Sequence, residues 1–294
     1  MILVFGKIYK NIGRGVLWTV VHQIYENPYT KAVVSPVVNF FKPESLIIGG
    51  HRMYIDKDDR VISLELILSG KWEKFEASLF EQNIKPGNIV IDIGAHIGYY
   101  TLIAAKRVGP KGKVYAFEPL PKNFELLKKN VEVNGYKNVV LVNKAVSNKN
   151  GKSKLFLSNE DNFGDQRIYD PEGNRRSTSI RTIKLDTFFK NKEKRINVIK
   201  MDIQGSEVKA LTGASEVLRK NKKMKILTEF WPRGLYLSGS SGRDYLELLK
   251  AYKFKVYEID STANKVSKIS FQQMLKNYPK SSLFNANLLC VKSQ

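Results

Sequence analysis

Ile91-Asp92-Ile93-Gly94-Ala95-His96-Ile97-Gly98-Tyr99 is the stretch on which the fold of this chain turns. A β-branched run, Ile89-Val90-Ile91, leads into it, and residues 100–107 continue it with a helical pattern. Two glycines therefore stand where a strand gives way to a helix. Glycine has no Cβ and adopts φ > 0 without strain, so such a turn lets a ligand approach the backbone closely. A tight turn with no ligand would show the same spacing. Residues 114–118 read as the next strand, and Glu118 lies 20 residues beyond Gly98.

The two acids narrow the choice of ligand. A dinucleotide fold offers its glycine turn to an anionic pyrophosphate, which the carboxylate of Asp92 would repel. S-adenosylmethionine carries a sulfonium and an ammonium, and an acid beside the turn favours it. Glu118, at the tip of the second strand, is placed to accept protons from both hydroxyls of a ribose. No glycine-rich stretch ends in Gly-Lys-Ser/Thr, which argues against a nucleoside triphosphate site.

Outward from this turn the pattern alternates. Residues 72–82 read as helix, and Pro86-Gly87 turns the chain into the first strand, 89–92. After the helix at 100–107 and the strand at 114–118, Pro119 and Pro121 open a helix with apolar positions Phe124, Leu127 and Val131. Strands follow at 139–143, 196–201 and 225–230, with a helix at 206–220 before the last of these. Residues 153–158 and 178–185 read as two further strands, a β insertion ahead of the strand at 196–201. Residues 243–252 read as helix, 254–259 and 287–291 as final strands. Apolar strands alternating with helices predict a mainly parallel sheet covered on both faces, with one antiparallel edge strand from the last pair. Residues 1–45, broken by Pro28, Pro36 and Pro43, form a separate N-terminal extension. It could pack on the core, mediate dimers or lie on a bilayer. The domain proper is expected over 46–294, led by short strands at 45–48, 52–55 and 61–68.

With 294 residues and 43% apolar content, the chain can build one large α/β domain plus an appendage. Its single cysteine, Cys290, excludes an internal disulfide, a cysteine-based zinc site and a redox pair, and suits a reducing, cytoplasmic compartment. Met1 to Phe5 lacks the basic lead and cleavage pattern of a signal peptide, and no apolar run reaches the roughly 18 to 20 residues a membrane-spanning helix needs. The formal charge of +21 admits three readings: a nucleic-acid surface, peripheral contact with an anionic membrane or glycan, or compositional lysine bias with no partner.

From about Arg52 to Asp260 the chain resembles the FkbM-type S-adenosylmethionine-dependent methyltransferases. The resemblance rests on the segments 86–95, 115–119, 144–147, 184–186, Lys200-Met201-Asp202-Ile203-Gln204-Gly205-Ser206-Glu207 and Thr228-Glu229-Phe230. It implies the class I methyltransferase (Rossmann-like) fold, a seven-stranded sheet with one antiparallel strand and helices on both faces. It also implies methylation of a hydroxyl oxygen on a sugar, glycan, lipid-linked acceptor or secondary metabolite. By the same likeness, Asp92, Gly94 and Gly98 would line the methionine part of the donor, Glu118 its ribose, and Ala145 and Val146 its adenine. His96 stands where the family usually carries Asn, and Gln204 where many members carry Glu, so a base available to those members is missing here.

Transfer to oxygen requires alignment of donor and acceptor, exclusion of water and removal of the hydroxyl proton. Asp202, after the strand at 196–201, is a candidate base or substrate orienter; capping of the next helix is its alternative role. Glu207 fits a capping role better than a catalytic one. Glu229, Trp231 and Arg233 form a polar and aromatic cluster suited to sugar stacking or to an anionic group. His96, one of three histidines, is a catalytic candidate beside the cofactor turn, and a structural hydrogen bond is the alternative. We therefore expect Asp202, His96 and Glu229 to be catalytic and Gln204, Trp231 and Arg233 to bind substrate. No His, Asp or Glu spacing suits a metal. Two other functions compete, a nucleic-acid methyltransferase and a non-catalytic donor-binding module. Against the first, Asp202-Ile203-Gln204-Gly205 replaces the Asn/Asp-Pro-Pro-aromatic run that holds a flipped base.

Overall fold

Residues 42–59, 61–158, 164–170, 172–193, 195–282 and 284–293 are described by a computed structural model. The N-terminal extension therefore falls almost wholly outside the described residues. A two-stranded antiparallel ribbon, β1 (Ser45–Ile48) and β2 (His51–Tyr54), leads into helices α1 (Ile62–Ser69) and α2 (Lys74–Gln82). Then come β3 (Ile89–Ile93), α3 (Tyr99–Val108), β4 (Lys113–Phe117), α4 (Pro121–Val133) and β5 (Val139–Val142). Strands β6 (Ala145–Val146), β7 (Gly151–Phe156) and β8 (Ser177–Ile183) form a separate three-stranded sheet in the order β6-β8-β7. The chain returns through α5 (Leu185–Phe189), β9 (Val198–Met201), α6 (Glu207–Thr212), α7 (Ser215–Lys220) and β10 (Met224–Phe230). It ends with α8 (Pro232–Leu237), α9 (Gly242–Ala251), β11 (Lys255–Asp260), β12 (Lys265–Lys268), α10 (Phe271–Asn277) and β13 (Ala286–Lys292).

The large sheet runs β12-β11-β13-β10-β9-β3-β4-β5. Strands β10, β9, β3, β4 and β5 pair in parallel, so their C-terminal ends share one rim, where the strand order reverses between β3 and β9. Alternation along each strand sends neighbouring side chains to opposite faces. Ile91, Ile93, Phe117, Ile199, Met201 and Ile226 pack on one face with Leu211, Leu218 and Leu249. Val90, Val114, Val198 and Leu227 pack on the other, against Phe80, Tyr100, Ala104 and Val108 of α2 and α3.

The expected α/β class, parallel core and β insertion are present, with four differences. The sheet has eight strands rather than seven, because Lys265–Lys268 adds an antiparallel edge on β11. The antiparallel strand β13 is not at the edge but is inserted between β10 and β11. Residues 61–68 are helical, not a strand. The Asp59 carboxylate accepts the N–H groups of Val61 and Ser63 at 3.2 and 2.6 Å, and Gly70 closes α1 with φ +68°. The single helix expected at 206–220 is two helices. A Cβ on Gly213 would lie 2.0 Å from the Ser147 carbonyl oxygen, so backbone meets backbone there. Beyond that break, Asp186 accepts from Val217 N at 3.0 Å and from Ser215 Oγ at 2.9 Å, supplying α7 with an N-terminal cap from outside the helix.

Gly213→Ala is expected to destabilise the chain by about 1–3 kcal/mol through overpacking. Urea unfolding checks this, and an unchanged midpoint would show that the α6–α7 break does not depend on close approach.

Candidate active site

Period-two alternation carries Asp92 to the same face as Val90, Lys200 to that of Val198, and Glu229 to that of Leu227. Asp92 is directly opposite Lys200 in the β3–β9 register, and Leu227 is opposite Lys200 in the β9–β10 register. Three charged side chains therefore lie in an oblique row on one face of β3, β9 and β10, with Glu229 one pleat beyond the level of Asp92 and Lys200. All three are buried.

Lys200 sits at the centre of the row. Its Nζ is 3.6 Å from Asp202 Oδ2 and 4.8 Å from the centre of the Tyr100 ring. Burial opposes its charge, yet Asp202, Glu73, Asp92 and Glu229 outweigh burial and raise its pKa. The acids around it are shifted the other way in charge. Burial pushes Asp92 up to about 6, although Thr101 Oγ1 donates to its Oδ2 at 2.6 Å. Glu229 is raised well above the usual carboxylate range, by burial and then by Asp202 and Glu207, while Asn285, which donates to its Oε1, acts against the rise. Burial likewise raises Glu73, which precedes α2 and accepts from Tyr100 Oη at 2.7 Å.

The glycine turn behaves as its composition requires. Gly94 and Gly98 have φ of +83° and +97°. A Cβ on Gly94 would lie 2.1 Å from the Asp202 carbonyl oxygen, so this turn brings the end of β3 against the end of β9. His96 also has positive φ, at 50°. Its backbone N–H donates to Glu118 Oε2 at 2.9 Å, while Leu120 N donates to Glu118 Oε1 at 2.9 Å. Burial raises Glu118 to about 7, and the charge of Asp92 adds to the rise. The Asn123 side chain adds a third hydrogen bond to the Glu118 carboxylate, which keeps acceptor capacity for one further donor.

On the other side of the row, Gln204 Nε2 donates to Asp202 Oδ1 at 3.0 Å and to Glu229 Oε2 at 3.4 Å, bridging the two acids. Glu207 is buried, with Oε1 accepting from Ile203 N and Gly205 N at 3.3 and 3.2 Å. It anchors the loop, in keeping with a capping role. Trp231 and Arg233 flank the start of α8, and Arg233 is exposed. Ala145 and Val146 belong to β6, just past the Asn143 side chain that donates to the Glu118 carbonyl at 2.8 Å.

The geometry thus brings Asp92, Gly94, His96, Gly98 and Glu118 together at one end of the rim, and Asp202, Gln204 and Glu229 at the other. Lys200 and Glu73, both parts of this assembly, carried no assignment from the sequence. A lysine between Ile199 and Met201, in a strand buried on both faces, was the available signal for the first. Among the described residues no group of three or more His, Cys, Asp or Glu is arranged to hold a metal ion. None of their helices is long and apolar enough to cross a membrane.

The chain is 28% identical to 2-O-methyltransferase NoeI of Sinorhizobium fredii over 189 residues, covering 58% of this chain and 74% of that protein. It is 43% identical over 58 residues to a protein-L-isoaspartate O-methyltransferase of Aeropyrum pernix, spanning 20% of this chain and 22% of that protein. Among solved structures, a SAM-dependent O-methyltransferase of Thermotoga maritima superposes with a TM-score of 0.41 at 12% identity, covering 85% of this chain and 78% of the other. The methyltransferase FkbM domain matches residues 92–256, more than half of the chain, which begins at Asp92 and takes in the whole row of charges: the chain belongs to the FkbM methyltransferase family.

Proposed function

We propose that this chain transfers a methyl group from S-adenosylmethionine to a hydroxyl oxygen of a small, sugar-bearing acceptor. The observation that carries the reading is the pair of buried acids, Asp92 and Glu118, on either side of the glycine turn. A cationic donor relieves the cost of ionising them, and the remaining acceptor site of Glu118 suits a ribose hydroxyl. The relationship to NoeI supports oxygen as the acceptor atom.

Bound donor would supply an electrophilic methyl carbon. The tasks left to the chain are to orient the acceptor and take up its proton. We assign the proton to Asp202. It is about one-third exposed, against the buried Glu229, and stands at the open end of the row, with Lys200 opposing a build-up of negative charge. Gln204 holds Asp202 and Glu229 in a fixed relation, so the neutral residue in place of a carboxylate orients the base instead of acting as one. The backbone of His96 is tied to Glu118 on the donor side, which makes it a positioning residue in this reading.

Asp92→Asn is expected to weaken binding of S-adenosylhomocysteine about tenfold or more, the loss of a charge-assisted contact of roughly 1.5–3 kcal/mol. Calorimetry showing unchanged affinity would remove Asp92 from the donor site. Asp202→Asn should leave that affinity within about twofold yet slow methyl transfer about a hundredfold or more, the range for a lost general base. Full turnover in this variant would exclude Asp202 as the base.

Proton linkage gives an independent check. Asp92 at about 6 and Glu118 at about 7 titrate above their unfolded values, so the folded chain holds more protons than the unfolded chain between pH 4 and 7. Their contribution to stability is complete below pH 4 and disappears as pH rises through 6 and 7, each tenfold difference in proton affinity being worth about 1.4 kcal/mol. The thermal midpoint of the free protein is expected to fall between pH 5 and pH 8, while donor affinity rises over the same interval. A midpoint that climbs throughout would contradict both assignments.

A further inference from the structure

A cleft of about 170 Å³ opens beside the acceptor end of the rim, lined by Arg167, Arg175, Arg233, Trp231, Asp170 and Glu172. It joins the β7–β8 insertion to the start of α8. The two are tied to the acid cluster where Tyr169 Oη donates to the Gln204 carbonyl at 2.9 Å.

Trp231 suggests two uses for such a cleft, a platform for a neutral sugar ring or one wall of an anion site. Its surroundings favour the second. The Arg167 guanidinium lies 4.7 Å from the Trp231 ring centre, and a Cβ on Gly234 would lie 2.1 Å from the ring, so the indole is already engaged with its own neighbours. The arginines are held in place in advance. Arg167 exchanges backbone hydrogen bonds with Phe156, and its Nε is 2.5 Å from Asp165 Oδ1. Arg175 is bound to the Asp165 carboxylate at 2.8 Å and to the Asp165 carbonyl at 2.9 Å. The acids of the wall are occupied as well: Asp170 accepts from Gly173 N and Arg175 N, and Glu172 from Asn174 Nδ2. Arg233 differs from all of these. It is exposed, lines the cleft, and makes no side-chain hydrogen bond or ion pair among the described residues.

We propose that the acceptor carries an anionic group, a carboxylate or a phosphate, which Arg233 binds at this cleft while the acceptor hydroxyl faces Asp202. The inference rests on the methyl-transfer reading and narrows its substrate class from sugars in general to acidic ones. A planar, permanently charged guanidinium suits both kinds of oxyanion. It also gives a reason for placing the anion here, since nearer the rim it would meet Asp202 and Glu229.

The test uses the full chain saturated with S-adenosylhomocysteine, titrated calorimetrically with glucuronate, glucose 6-phosphate and glucose. At least one acidic probe is expected to bind about tenfold or more tightly than glucose, and the better of the two identifies the oxyanion. In Arg233→Gln, at an exposed position where folding is not at stake, the advantage should shrink to about twofold or less. Arg233→Lys should restore part of it. Equal binding of acidic and neutral probes, no binding of either acidic probe, or an advantage that survives in Arg233→Gln would each overturn the proposal. So would weaker S-adenosylhomocysteine binding in that variant, because the cleft would then serve the donor's own carboxylate. Failure of the unaltered chain to bind S-adenosylhomocysteine would refute the methyl-transfer reading itself.

Discussion

A single buried ammonium makes the candidate active site possible. Asp92, Asp202, Glu229 and Glu73 converge on Lys200, and without a cation their mutual repulsion and loss of hydration would resist the packing of β3, β9 and β10. The pleat of the sheet does the placing. On the same face, Val90 and Val198 lie one pleat below Asp92 and Lys200, and Leu227 lies level with Lys200, all three in the apolar layer under α2 and α3. The stacking of Lys200 on Tyr100 uses the same helix, α3, that begins at the glycine turn and supplies Thr101 to Asp92. Glycine turn, helix and charge row are thus one mechanical unit.

How far the sequence could be read follows from how far apart the partners lie along it. The proposed donor half comes from residues 92–98 and 118, adjacent elements whose β-branched runs and glycines announce themselves. Strands buried on both faces read as continuous apolar runs, and β3, β4, β9 and β10 were legible for that reason. The proposed acceptor half is assembled from residues 165–170, 172–175, 202–204, 229–233 and 285, and nothing local in sequence links Asn285 to Glu229 or Tyr169 to Gln204. Lys200 was hidden differently, inside a motif that marked the family without revealing a role.

The misread elements have identifiable causes, local in two cases and tertiary in one. Residues 61–68 alternate Ile62, Leu64, Leu66 and Leu68 with Ser63, Glu65 and Ile67, close to a strand pattern, and the deciding signals were Asp59 and Gly70 at the two ends. Helix α10 escaped because it is short, although Ser270 followed by Gln273 marks its start, with Gln273 N donating to Ser270 Oγ at 3.1 Å. Tertiary contact, through Gly213 and Asp186, broke a helix that periodicity alone would continue.

The unexpected eighth strand bears on how copies of this chain behave when crowded. A sheet's outermost strand offers unsatisfied amide and carbonyl groups on which another polypeptide can template itself. Here that position falls to four residues, Lys265–Lys268, with an exposed lysine at each end. Two such borders brought together would confront like charges over too short a span to zip, so β12 works as a fender against fibril-like association.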